Sequence, residues 1–212
     1  MGLRVRLTLA VSLLVTAASA QQFTLQEIGV VRMLNQFRRD PAAWIRNLGW
    51  ERSLYRGNLL VPPGHAAIQT REGVRAVDEA IAVLRQTRGP IGIPLELSHG
   101  LSQSAAAHVR DTGRRGMVGH ESSNGGDFAG RIVHFGNWTG SVGEAITYGD
   151  ADPTGVISQM LIDDGVPDRG HRGTLLDPRW RYIGVSCGAH AVYRGMCVLD
   201  FAVGFEERTA RR

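Results

Sequence analysis

Apolar residues recur at three- and four-residue intervals through the first half of the chain, then alternate with polar ones toward its end. In "TLQEIGVVRMLNQFRRD", Ile28, Val31, Leu34 and Phe37 fall on one helical face. Thr24 and Glu27 have the spacing of a capping box at its start. Asp40-Pro41 reads as the N-cap and first position of a second short helix, "PAAWIRNLG". "RGNLLVPPGHAAIQ" has no period and many turn residues, which predicts a long loop. "REGVRAVDEAIAVLRQT" predicts an amphipathic helix ended by "RGPIGIP". Another helix, capped near Ser98, turns Leu101, Ala105 and Val109 inward, and its alanines permit close packing.

Beyond it, "MVGHESSNGGDFAGR" is a polar, glycine-rich loop leading into the short helix "FAGRIVHFG". "SVGEAITYG" alternates as a strand does, and "DPTGVISQMLIDDG" reads as a helix opened by Asp152-Pro153 and closed by Gly165. "RWRYIGVSCG" and "AVYRGMCVLDFAVGF" read as two antiparallel strands. Helices early and strands late predict an α+β class, a three-layer α-β-α sandwich with a small antiparallel sheet between helices.

The first twenty residues change this picture. Arg4 and Arg6, the apolar run "LTLAVSLLVTAA" and the small residues Ala18 to Ala20 predict a signal peptide over residues 1–20. The apolar run is shorter than the ~20 residues a membrane span needs. The expected product is a secreted or periplasmic protein without a transmembrane anchor, one domain over residues 21–212. All 24 basic residues of the chain are arginine, against 20 acids, and two arginines leave with the leader. So balanced a charge has no basic stripe of the kind that binds nucleic acid. Export also bears on Cys187 and Cys197, the only cysteines: they lie on the two late strands, which predicts a disulfide between them.

Candidate chemistry is polar and clustered. His120 sits in the glycine-rich loop, and Glu144 lies within a strand, where an acid is poorly favoured. The stretch "DDGVPDRGHRG" places Asp163 at a helix end and His171 eight residues on. Glu121, Asp164 and Asp168 read as solvated, and His108 and His134 as packing residues on helices. Each of the four candidates also has a structural reading: a loop cap, a strand acid bonded to nearby donors, a helix end, a bridge between loop and sheet. No GxSxG, HExxH or phosphate-binding loop is present.

The succession "GHESSNGG…FAGRI…GEAITYG…LIDDGVPDRGHRGTLLDPRWRYIGVSCG", together with "MLNQFRRDPAAW", resembles the CAP superfamily of cysteine-rich secretory, antigen 5 and pathogenesis-related 1 proteins. The likeness spans roughly residues 33–203 and is greatest to the bacterial secreted, SCP-like branch. It implies an α-β-α sandwich with a cleft of two histidines and two acids. His120, Glu144 and His171 match the loop histidine, the "GEN" glutamate and the "GHR" histidine, and Asp163 stands where the second glutamate is expected. Asp163 is one methylene shorter than glutamate, and Ala145 replaces the asparagine of "GEN". His120 and His171 could hold zinc or another divalent metal weakly, since neutral imidazole suits zinc. The implied function is a binding module for a lipid, a sterol-like ligand or a cell-envelope component. The alternative is a metal-assisted hydrolase of peptide or envelope material, with Glu144 as general base. A purely structural or adhesive role stands as a third reading, because fold alone does not fix chemistry.

Overall fold

The computed structural model describes residues 23–64, 66–149 and 152–208. The expected signal peptide lies outside these residues. Among them, no helix is long and apolar enough to cross a membrane.

Helix α1 (Leu25–Arg39) opens on the expected capping box: the Thr24 hydroxyl accepts from the Glu27 amide, and the Glu27 carboxylate accepts from the Thr24 amide. Its buried face differs from the expected one. Val30, Leu34 and Phe37 are buried beside Glu27 and Arg38, while Ile28 is exposed and Val31 lies at the margin. The stripe is rotated because Glu27 turns inward, its carboxylate accepting from the Cys187 amide of the sheet. Asp40 caps a 3-10 turn, Pro41–Trp44, which runs into α2 (Ile45–Ser53).

The segment expected to be a loop contains three two-residue strands, β1 (Tyr55–Arg56), β2 (Leu59–Leu60) and β3 (Ile68–Gln69), paired antiparallel. Pairs this short carry no readable alternation. Helix α3 (Val74–Gln86) follows, then β4 (Glu96–Leu97) and α4 (His99–Thr112), whose cap is Ser98 as expected. A short α5 (Phe128–Ile132) precedes the long strand β5 (Gly136–Tyr148). β5 begins five residues earlier than its alternation indicates. His134 lies in the turn between these two elements rather than on a helix. Helix α6 (Pro153–Ile162) ends at Asp163, before Gly165, and α7 (Gly170–Leu176) occupies what reads as a turn-rich stretch. Strands β6 (Tyr182–His190) and β7 (Arg194–Glu207) close the chain.

The main sheet has the order β4-β6-β7-β5, antiparallel except for the parallel β4–β6 pair. Helices cover both faces, giving the α-β-α sandwich. On one face, Leu34, Phe37, Val77, Leu84, Ile157 and Leu161 pack against Val185, Leu199 and Phe201. On the other, Ala105 and Val109 of α4 meet Ile146, Met196 and Val198. Burying each large aliphatic or aromatic side chain contributes about 1.5–3 kcal/mol. The small residues of α4 matter because the sheet comes very close: a Cβ at Gly184 would strike the α4 backbone at Leu101 and Ser102. Cys187 and Cys197 stand directly opposite each other on β6 and β7 and form the expected disulfide.

Candidate functional site: two histidine–carboxylate pairs

β5 is an edge strand, and Glu144 lies on its α4-facing side, opposite Asp200 of β7. Alternation on the strand decides this: Ile146, two residues on, packs with α4, while Ala145 faces the other core. The glycine-rich loop after α4 brings His120 to Glu144, and the imidazole Nδ1 lies 2.8 Å from Oε1. Three side chains clamp the loop just before His120. The His190 ring bonds the Met117 carbonyl at 3.0 Å, His108 Nε2 bonds the Gly119 carbonyl at 3.0 Å, and the Tyr148 hydroxyl accepts from the Gly119 amide at 2.8 Å. Asp111 holds the far side, accepting from the Ser123 amide and hydroxyl.

The second pair forms at the end of α6. Asp163 adopts a left-handed backbone, φ 56° and ψ 43°, uncommon for a residue with a Cβ. Its carboxylate is fully engaged: Oδ1 meets His171 Nδ1 at 2.7 Å, and Oδ2 accepts from the Arg172 amide at 3.1 Å. Arg169, also left-handed, donates to the Asp163 carbonyl while its guanidinium binds Glu72 and Glu79 of the α3 region. The "DDGVPDRGHRG" stretch is thus a tight reversal that folds the start of α7 back onto the end of α6. Gly143 lets α7 approach β5, with Trp180 and Thr174 where a side chain would otherwise stand.

The structure therefore brings all four residues into one region, with the His120 and His171 ring centres 6.3 Å apart. They do not converge as four ligands. Each carboxylate holds an imidazole by Nδ1, and both acids are sealed off, with side-chain exposures of 0% for Glu144 and 1% for Asp163. The histidines face outward, exposed by 47% and 23%. A carboxylate accepts, so each Nδ1–H donates, and a neutral ring then presents a bare Nε2 lone pair. This is the arrangement by which outer carboxylates orient metal-binding histidines.

Behind His120 lies a charged layer. Arg131 donates to Glu144 Oε2 through one terminal nitrogen and to the Ser122 hydroxyl, at 3.1 Å, through the other. Burial pushes the Glu144 carboxyl up, but the His120 hydrogen bond and the Arg131 charge outweigh it and leave it below the usual carboxylate range. Asp200 goes the opposite way. It is completely buried, neither oxygen has a hydrogen-bond partner among the described residues, and the Ser104 hydroxyl stands near without bonding geometry. Burial, and then the neighbouring Glu144 charge, hold its carboxyl well above the ordinary range against the pull of Ser104 and Arg131. Glu144 is the ionised member of this pair and Asp200 the neutral one. Burial also lowers His108.

The spacing of the two rings limits how they could share a metal ion. With Zn–N bonds of ~2.0–2.1 Å, a ring centre lies ~3.2 Å from a bound ion. Rings 6.3 Å apart could therefore share an ion only nearly in line, and a tetrahedral angle needs them about 1 Å closer. Among the described residues, no three His, Cys, Asp or Glu side chains are grouped to hold a metal. Two imidazole donors at this spacing do not make a closed three-ligand centre, and a tetrahedral ion between them would need the rings to approach.

Arg131, His108, Tyr148, Asp200 and Ser104 were not among the sequence candidates. An arginine in "FAGRI" gives no local signal of burial; Asp200, an acid inside the apolar run "CVLDFAVGF", was the legible one.

Residues 88–201, more than half of the 212-residue chain, match the Cysteine-rich secretory protein family, CAP. The chain belongs to the CAP family. Solved structures similar to this CAP domain include an extracellular protein containing an SCP domain from Bacillus anthracis. It is 18% identical, with a TM-score of 0.42, over 61% of this chain and 37% of that one. An outer surface protein from Borrelia burgdorferi is 18% identical, with a TM-score of 0.43, over 51% of this chain and 76% of that one. A cysteine-rich secretory protein from Staphylococcus aureus is 15% identical, with a TM-score of 0.37, over 62% of this chain and 38% of that one. This CAP domain thus spans well under half the length of the Bacillus and Staphylococcus proteins. No curated protein sequence matches it.

Proposed function

We propose that this protein is an exported binding module whose cleft takes a divalent metal ion loosely through Nε2 of His120 and His171. The observation that carries this is the paired use of Nδ1: two separate acids each hold one imidazole by the same nitrogen, with the ring centres 6.3 Å apart. Zinc is the ion that best suits two neutral imidazoles. With two protein donors the affinity is micromolar or weaker, a binding free energy of about 8 kcal/mol or less.

The hydrolase alternative is less well supported. Both Glu144 oxygens are engaged, by His120 and by Arg131, and its side chain has no exposure. A carboxylate so occupied, and held below the usual range, is a poor general base. The lipid or sterol reading draws no support from two cavities among the described residues, of about 470 and 200 Å³, which touch neither His120 nor His171 and carry polar residues such as Gln26, Asp152 and Asn47.

The test is calorimetric titration of the whole protein with zinc, compared with His120→Ala and His171→Ala. Either substitution is expected to weaken binding at least about tenfold, since one donor of two is lost. Unchanged affinity in either variant would place the ion elsewhere, and nanomolar binding by the parent would require ligands the cleft does not offer.

A further inference from the structure

Helices α2 and α6 enclose a separate cleft of about 200 Å³. From α2 it is lined by Asn47, Trp50 and Glu51, spaced three and four residues apart and so sharing one helical face. From α6 it is lined by Thr154, Gly155 and Ser158. Three features set it apart from ordinary surface.

Trp50 is 62% exposed, whereas Trp44 and Trp180 are buried in the core. An open indole is a flat apolar plate that nothing in the fold covers. The Glu51 carboxyl is half-buried with no hydrogen-bond partner among the described residues, and burial pushes it up to about 7. Ser158 is buried and its oxygen accepts from Trp44 Nε1 at 3.3 Å, which leaves the hydroxyl hydrogen free to donate. The rim residue Asp152 spends one carboxylate oxygen on the Gly155 amide, at 2.7 Å.

An indole plate bordered by an amide, two hydroxyls and carboxyls matches a molecule with one apolar C–H face and a polar edge of groups that both donate and accept. A pyranose ring has this form. The volume agrees, being below the ~300–1,000 Å³ of sites for drug-sized ligands and suited to a single ring. A fatty chain would leave Glu51, Asn47 and Ser158 desolvated without partners, which is costly. The Asp152 carboxylate on the rim repels an acidic sugar.

We propose that the α2–α6 cleft is a glycan subsite in which Trp50 stacks on one ring of a neutral, hydroxyl-rich oligosaccharide. Asn47, Glu51, Thr154 and Ser158 bond its hydroxyls. The subsite is independent of the two histidines, and its occupancy requires no metal.

The experiment titrates the whole protein with cellotriose, tri-N-acetylchitotriose and trigalacturonate, read by tryptophan fluorescence and by saturation-transfer NMR. At least one neutral trisaccharide is expected to bind at about millimolar concentration and to perturb an exposed indole. Trp50→Ala is expected to weaken it about tenfold or more, and Trp50→Phe to keep most of the affinity. Trp50 is exposed, so both variants should fold, which circular dichroism checks. Trigalacturonate is expected to bind at least about tenfold more weakly, and His171→Ala to leave sugar binding unchanged. Failure of both neutral sugars to bind the folded protein overturns the proposal. So does equal binding by Trp50→Ala, or equal binding of trigalacturonate.

Discussion

His120–Glu144 and His171–Asp163 make the same contact, yet they are built from opposite materials. The first rests on buried charge. Glu144 stands on a rigid strand between an imidazole and the Arg131 guanidinium, with a neutral Asp200 beside it. The second rests on backbone geometry, with Asp163 held in a left-handed turn by amides, carbonyls and Arg169. The strand pair should therefore respond to charge changes, and the turn pair to changes in conformational freedom.

The largest expected effect follows from the strand pair. Glu144→Ala leaves the Arg131 guanidinium buried without its partner, and breaking a buried pair costs about 3–5 kcal/mol. Urea unfolding measures it, and a loss below about 1 kcal/mol would show that Arg131 finds water or another acid instead.

At the turn, Asp163→Ala loses two hydrogen bonds and also forces alanine into the left-handed region. Asp163→Gly loses the same bonds without that strain. Alanine is expected to cost about 2–3 kcal/mol and glycine about 1 kcal/mol less, an inversion of the usual order away from such sites. Equal costs would mean that the backbone is not the constraint.

A smaller, pH-dependent effect separates Asp200 from its neighbours. With its folded pKa raised, the folded state keeps a proton that the unfolded chain releases. That contribution to stability is present below the unfolded pKa of ~3.9 and is lost as pH rises toward the folded value. Glu144, Arg131 and Ser104 also face this group, and Asp200→Asn keeps its shape while removing its titration. The variant should gain on the parent progressively in thermal midpoint from pH 4 upward. A constant difference across pH would show that Asp200 is ionised in the folded state.

Much of the fold was legible because periodicity and caps are local. Thr24 with Glu27, Asp40 with Pro41, and Ser98 each mark a helix start where the chain makes one. Both cysteines, by contrast with most polar residues, announced their partner through strand pattern and export together, and the disulfide forms. What failed was set by tertiary contacts. The α1 stripe rotates because Glu27 reaches the distant Cys187 amide, and α7 forms in a glycine-rich stretch because Asp163, Arg172 and Glu79 hold it. In the cleft, residue types marked His120, Glu144, Asp163 and His171 one by one, and the family resemblance joined them as a group. Spacing could not show that the acids face the rings rather than a ligand, since that depends on the Arg131 and Arg172 contacts across the chain.

The central claim is that both imidazoles are held at Nδ1 and offer Nε2 to a shared ion. Long-range ¹H–¹⁵N spectra of histidine-labelled protein, recorded during a zinc titration, test it most directly. The account predicts that Nε2 of His120 and of His171 shift together with one saturation curve, while the Nδ1–H signals persist. Zinc-dependent shifts at Nδ1, at only one of the two rings, or at neither would contradict it.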